Sequence, residues 1–357
     1  MQSSRCLLLI LVFTGLLFRD YSAGAQAVRQ SPQQASPVRP QTNTSEAATS
    51  AVWSNVAEDW SSLSIGSLRL GPAYANVTEH DVGPHFTRDV VRVQWRPGDP
   101  IELIVYTPHG VAKAPAVLYL YSYPSDIDRF YNPAWAERAT ANGFAAIGFV
   151  SALTGQRYAN RPMKEWFVSE LQESLGTSVH DVQMILNYLD SRGDIDMNRI
   201  GMFGQGSGGA IAVLAAEADT RIKALDLLDP WGDWPDWLKN SAQIPDEERS
   251  GYLKPEFLAK VAGLDPVVYL PKLSVRSLRI QQILSDPATP KAAMDRIAAA
   301  SPSPADVSRF ADATAHFDAM HSTGVSGWLK RELSLPSTSS DSINLDLQPG
   351  SRSVNPQ

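Results

Sequence analysis

The chain has 357 residues, with 31 Lys and Arg against 38 Asp and Glu, a net charge of −7 and 43% hydrophobic residues. That balance describes a globular protein rather than a disordered or fibrous one. The sequence carries no block of basic residues, which excludes nucleic acid as a partner because phosphate binding needs clustered Lys and Arg. Its single cysteine, Cys6, excludes disulfides and cysteine-ligated metal sites.

Residues 1–25 open with Arg5, continue through an apolar run from Leu7 to Phe18 and end on Ala23, Gly24 and Ala25. This is the pattern of a cleaved secretory signal, and the apolar run is too short for a membrane span. The mature protein is therefore expected in the periplasm or outside the cell, with no membrane span and no cysteine. Residues 26–52 are rich in Pro, Gln and Ser, the composition of a flexible tether. A similar shift marks residues 334–357 as a disordered tail, leaving 53–333 as the folded domain.

Within that domain, residues 86–95 (FTRDVVRVQW) and 101–107 (IELIVYT) alternate apolar and polar side chains around Arg96-Pro97-Gly98-Asp99-Pro100. The pattern predicts a leading antiparallel hairpin. The apolar runs at 116–121 and 145–150, separated by a helical stretch over 133–142, predict buried parallel strands. Residues 179–192 form a helix, with Val182, Ile185, Leu186 and Leu189 on one face. Next, 199–203 leads into Gly204-Gln205-Gly206-Ser207-Gly208-Gly209 and a helical AIAVLAAEA. Strand, glycine turn and helix make a βα unit. Further strands are expected at 224–228 and 278–284, an insertion at about 231–270, and a last helix at 327–333.

Two chemistries use such a turn, phosphate cradling and the nucleophile elbow. The dinucleotide pattern G-x-G-x-x-G fits 204–209 formally, but it lies deep in the chain rather than in an opening βαβ unit. No acidic residue ends a following strand at a convincing ribose position.

The stretch from Asp181 through Asn187, Tyr188 and Leu189 to Arg199-Ile200-Gly201-Met202-Phe203-Gly204 resembles the helix-to-elbow segment of α/β-hydrolases. It is most similar to the dienelactone-hydrolase and prolyl-oligopeptidase-like branch. The resemblance implies a mostly parallel sheet with helices on both faces, the leading hairpin and a short lid. It also implies a nucleophile, usually serine, at the position held here by Gly206, which has no side chain with which to attack. Ser207 falls where the family donates a backbone N–H to the oxyanion. Asp286, in Ser285-Asp286-Pro287-Ala288-Thr289-Pro290, takes the acid's place, with Asp229 as an alternative acid. His316 takes the base's place, with His321 ranked second, so that chain order runs elbow, acid, histidine.

Tyr121, Ser122 and Tyr123 stand where the family builds the other side of its oxyanion pocket, and Tyr121 is an equivalent donor by that resemblance. Trp231, Trp234 and Trp237, within Asp-Pro-Trp-Gly-Asp-Trp-Pro-Asp-Trp, read as a lid or pocket wall. His80, His85, His109 and His180 show no metal-ligand spacing, so no metal is expected, and no cofactor. Together these residues describe an exported, degenerate serine hydrolase, a pseudoenzyme whose pocket is kept to bind a small-molecule ester or peptide-like ligand. The alternative is an active ester or peptide hydrolase that uses Ser207 or a water activated by His316. The oligomeric state is left open.

Overall fold

Residues 86–93 and 101–108 form the expected hairpin, and they are the second and third strands of a nine-stranded sheet in the computed structural model. The structure describes residues 63, 75–95, 99–123, 127–153, 167–302, 305–320 and 327–334. The segments expected to be a signal, a tether and a tail lie outside the described residues, apart from Ser334.

The strands are β1 (Asn76–Val82), β2 (Phe86–Val93), β3 (Ile101–Pro108), β4 (Ala114–Leu120), β5 (Ala145–Gly148), β6 (Ile195–Gln205), β7 (Ile222–Leu228), β8 (Ser277–Ile283) and β9 (Asp306–Phe310). Helices α1 (Pro133–Thr140), α2 (Leu171–Arg192) and α3 (Ser207–Ala218) alternate with them. The short helices α4 (Trp234–Asn240), α5 (Asp246–Tyr252), α6 (Pro255–Ala262) and α7 (Pro266–Tyr269) lie between β7 and β8. Finally come α8 (Lys291–Ala300), α9 (Ala313–Met320) and α10 (Gly327–Ser334).

The spatial order is β1-β2-β3-β5-β4-β6-β7-β8-β9. β1, β2, β3 and β5 pair antiparallel, and every pair from β5 through β4 to β9 is parallel. All residues of β4 and β5 are buried, as expected for parallel strands covered on both faces. Asn132 starts α1 by accepting from the N–H groups of Ala134 and Trp135, and Pro133 fills the first turn, where a missing donor costs nothing. Gly193, in the left-handed region, ends α2.

Two glycines of β6 show how the layers fit. A Cβ at Gly201 would meet Leu333 Cδ1 at 2.9 Å, and one at Gly204 would meet Gly209 Cα at 2.8 Å. Because residues three apart on a strand face opposite ways, α10 and α3 pack on opposite faces of the sheet. On the α10 side the core joins Tyr106, Tyr119, Phe130 and Phe203 to Trp328 and Leu329.

The structure corrects several boundaries. α2 begins at Leu171, because its first half buries Ser174, Thr177 and Ser178 and so hides the apolar stripe. β1 and β9 are additional strands; β1 is exposed at every residue and has no apolar face to reveal it. Among the described residues no helix is long and apolar enough to cross a membrane.

Candidate functional site

From β4 the chain moves outward to β5, and then returns past β4 to β6. The carboxyl ends of β4 and β6 therefore flank the point where strand order reverses, which is where ligands bind in open α/β sheets. The two segments that meet there are Tyr121-Ser122-Tyr123 after β4 and the glycine turn after β6.

Gly206 lies at the turn with φ 53° and ψ −115°, a conformation open to glycine and strained for other residues. Its N–H donates to Leu228 O at 2.9 Å. Its carbonyl accepts from Gly209 and Trp231 at 3.0 Å and from Ala210 at 3.1 Å. The backbone thus has the sharp strand-to-helix turn of a nucleophile elbow.

The space above that turn is filled. A Cβ at Gly206 would overlap Ser122 Oγ, lie 2.7 Å from Ser122 Cβ and stand 3.2 Å from Trp231 Nε1. The N–H of Ser207 donates to Ser122 Oγ at 3.4 Å, and the N–H of Tyr123 donates to Ser207 Oγ at 2.9 Å. These are the two kinds of amide an elbow offers to an oxyanion, one after the nucleophile position and one from the loop of a neighbouring strand. Here each faces a hydroxyl of the protein itself. Ser207 is 1% exposed, and its oxygen serves as an acceptor that ties the β4 loop to α3.

Tyr121, expected as an oxyanion donor, turns toward α1. Its hydroxyl accepts from Trp135 Nε1 at 3.1 Å, and the Arg129 guanidinium lies 4.0 Å from its ring centre. Burial raises its pKa. Trp231, Trp234 and Trp237 are buried and packed on one another, with ring centres 4.5 Å apart for 231 and 237 and 5.7 Å for 234 and 237. Trp234 Nε1 donates to Leu264 O at 2.9 Å. Asp265 fastens the start of α4 by accepting from the N–H groups of Asp233 and Trp234.

His316 lies within α9 and is almost fully buried, its ring edge-on to Phe310. Its Nε2 is 3.2 Å from Gln281 Oε1. The Gln281 amide nitrogen donates to Asp226 Oδ1 at 2.9 Å, and Arg279 donates to both oxygens of Asp226 at 2.9 and 2.6 Å. With three N–H groups on it, Asp226 acts as an acceptor, which fixes the Gln281 amide with its oxygen toward His316. The network therefore assigns the proton to His316 Nε2. Burial first, and then the Arg279 guanidinium, hold the imidazole below its ordinary pKa. A triad histidine has the opposite polarity, with Nδ1 donating to an acid and Nε2 free to take the nucleophile's proton.

Asp286 is engaged in its own turn, accepting from Ala288 N–H at 3.1 Å and from the Thr289 hydroxyl at 2.9 Å. No hydrogen bond joins it to His316 among the described residues; the structure brings His316 to Gln281 instead. Asp229, the alternative acid, is buried with φ 45°. Its Oδ1 accepts from Ile283 N–H at 2.7 Å. Burial pushes its pKa up to about 8, the Asp286 charge adding to the effect and the Ile283 amide opposing it. His321 lies outside the described residues.

Sequence reasoning missed the Asp226, Arg279, Gln281 and His316 network. Its signal was present, since polar residues interrupt two otherwise apolar strands, KALDLL and SLRIQQI. It also missed the cross-strand pairing of His85 with His109, whose N–H donates to His85 O at 2.9 Å. Both line a cleft of about 420 Å³ with Glu137, Thr140 and Asn142, at the amino edge of the parallel strands and away from the elbow. Among the described residues no group of three or more acidic, His or Cys side chains is placed to hold a metal.

No family profile matches the sequence, and no curated protein matches it. Solved structures do. An acetyl xylan esterase from Paenibacillus sp. R4 superimposes with a TM-score of 0.57 at 17% identity, covering 72% of this chain and 88% of that one. Acetyl xylan esterase 1 from Thermoanaerobacterium sp. JW/SL YS485 does so with a TM-score of 0.56 at 14% identity, covering 74% and 89%. With the sheet order, the two helical layers and the sharp turn after β6, these likenesses establish that the chain has the α/β-hydrolase fold.

Proposed function

We propose that this is an exported protein of the hydrolase fold that has given up serine hydrolysis and acts by binding. The observation that carries the reading is the occupied elbow: Gly206 supplies no nucleophile, and Ser122 and Ser207 place their hydroxyls on the two nearby amides. An enzyme stripped of its triad keeps a residual acceleration of about 10³ to 10⁴ from its oxyanion hole and from binding. Here the first of those contributions is also absent, so turnover should fall close to the background rate. The charged start, short apolar run and small residues of 1–25 support export.

A small-molecule ester or peptide-like ligand is the class proposed for binding. The neighbours named as acetyl xylan esterases suggest acetylated xylan oligosaccharides as first probes. The test treats the purified protein with a fluorophosphonate probe, a nitrophenyl acetate assay and acetylated xylan oligosaccharides, with calorimetry for binding. The expected result is no covalent label and no hydrolysis above buffer. Labelling of Ser207, or ester hydrolysis that His316→Ala abolishes, would return the protein to the active hydrolases.

A further inference from the structure

We infer that Ser122 holds the elbow shut, so that no nucleophile can be installed at position 206 until position 122 gives up its side chain. The inference rests on the non-hydrolytic reading and deepens it by naming the residue that closes the site. A side chain at 206 meets two atoms of Ser122, and they differ in kind. Rotation about χ1 would carry Oγ away, but Cβ, at 2.7 Å, stays where the backbone puts it.

That backbone has little freedom. Leu120 pairs with Gly204 in the β4–β6 ladder, and Tyr123 N–H is held by Ser207 Oγ at 2.9 Å. The other neighbour cannot withdraw either. Trp231 is buried, its ring packed on Trp237 with ring centres 4.5 Å apart, and its backbone N–H donates to Gly206 O at 3.0 Å. Relief must therefore come at 122, and only glycine removes both obstructing atoms. In the wild type the Ser122 hydroxyl, 3.4 Å from the Ser207 nitrogen, stands where the oxygen of an acyl ligand would meet that amide, so the same residue also bears on what the elbow admits.

The test is a set of thermal melts on the full chain, using Gly206→Ser, Ser122→Ala, Ser122→Gly and the two double variants that combine each position-122 change with Gly206→Ser. Gly206→Ser should lower the midpoint by roughly 5 °C or more, from overpacking and backbone strain together. Adding Ser122→Ala should leave it low, because Cβ remains. Adding Ser122→Gly should raise it again, a non-additive gain that measures the contact directly. If Gly206→Ser alone does not yield soluble protein, the two double variants still decide. A Gly206→Ser midpoint equal to wild type overturns the inference, as does equal rescue by Ala and Gly, or no rescue by Gly. Fluorophosphonate labelling of the wild type would sink the non-hydrolytic reading alone, leaving the melts to judge the steric one.

Discussion

Replacing Asp229 by Asn should stabilise the protein in mildly alkaline solution and leave it nearly unchanged near pH 4. Asp229 is 5% exposed and is pushed up to about 8 from an ordinary value of 3.8. Its folded pKa is the higher one, so between about pH 4 and pH 8 the native state keeps a proton that the unfolded chain releases. Stability linked to this group is thus fully present below about pH 4 and is lost as pH rises through 8. A displacement of about four units sets a ceiling of about 6 kcal/mol. Relaxation around a group at a loop edge reduces that, and a gain of about 2–4 kcal/mol at pH 8.5 is expected. Asn keeps the acceptor for Ile283 N–H, carries no charge to desolvate, and is among the residues most tolerant of the positive φ at this position. Urea unfolding of both proteins at pH 4.5, 7 and 8.5 reads the difference. A variant that is less stable than wild type at pH 8.5, or whose advantage does not grow with pH, would refute the argument.

Lys330 gives a second pH effect of opposite sign. Burial lowers its pKa to about 8 while its Nζ donates to Arg138 O and Ala141 O. Between about pH 8 and 10.5 the unfolded chain holds the extra proton, so stability rises with pH across that window, and Lys330→Met should remove the rise in melts from pH 7.5 to 10. Arg279→Ala leaves Asp226 charged and buried without its partner, and should cost about 3–5 kcal/mol in urea unfolding; a loss under about 1 kcal/mol would show that Asp226 takes up a proton freely.

The layers of this fold were legible because they depend on patterns that a chain displays openly. Alternation over 86–95 and 101–107 announced the hairpin, and the glycines at 204–209 announced the turn, since close helix–strand packing permits little else there. β1 and β9 were not legible: edge strands bury too little to impose a period. The contacts of the candidate site were not legible. The sequence shows a glycine at position 206, yet only the fold shows that Ser122 lies where a Cβ there would stand. Likewise the order of Asp286 and His316 along the chain fits a triad, while the direction of the imidazole follows from Gln281, a residue whose type alone says nothing of acid–base chemistry.

Gly206 O accepts from three backbone donors, two in the first turn of α3 and one at Trp231. This joint orients the helix and the start of the β7–β8 insertion whether or not a side chain stands on it. In an active elbow a non-glycine residue must bear the strained angles, at about 1–3 kcal/mol. Exchange of such a residue for glycine keeps the joint and releases that strain, so loss of the nucleophile runs in the direction of greater stability. Glycine at 206 accepts these angles without that strain, so at this one position the residue present favours stability.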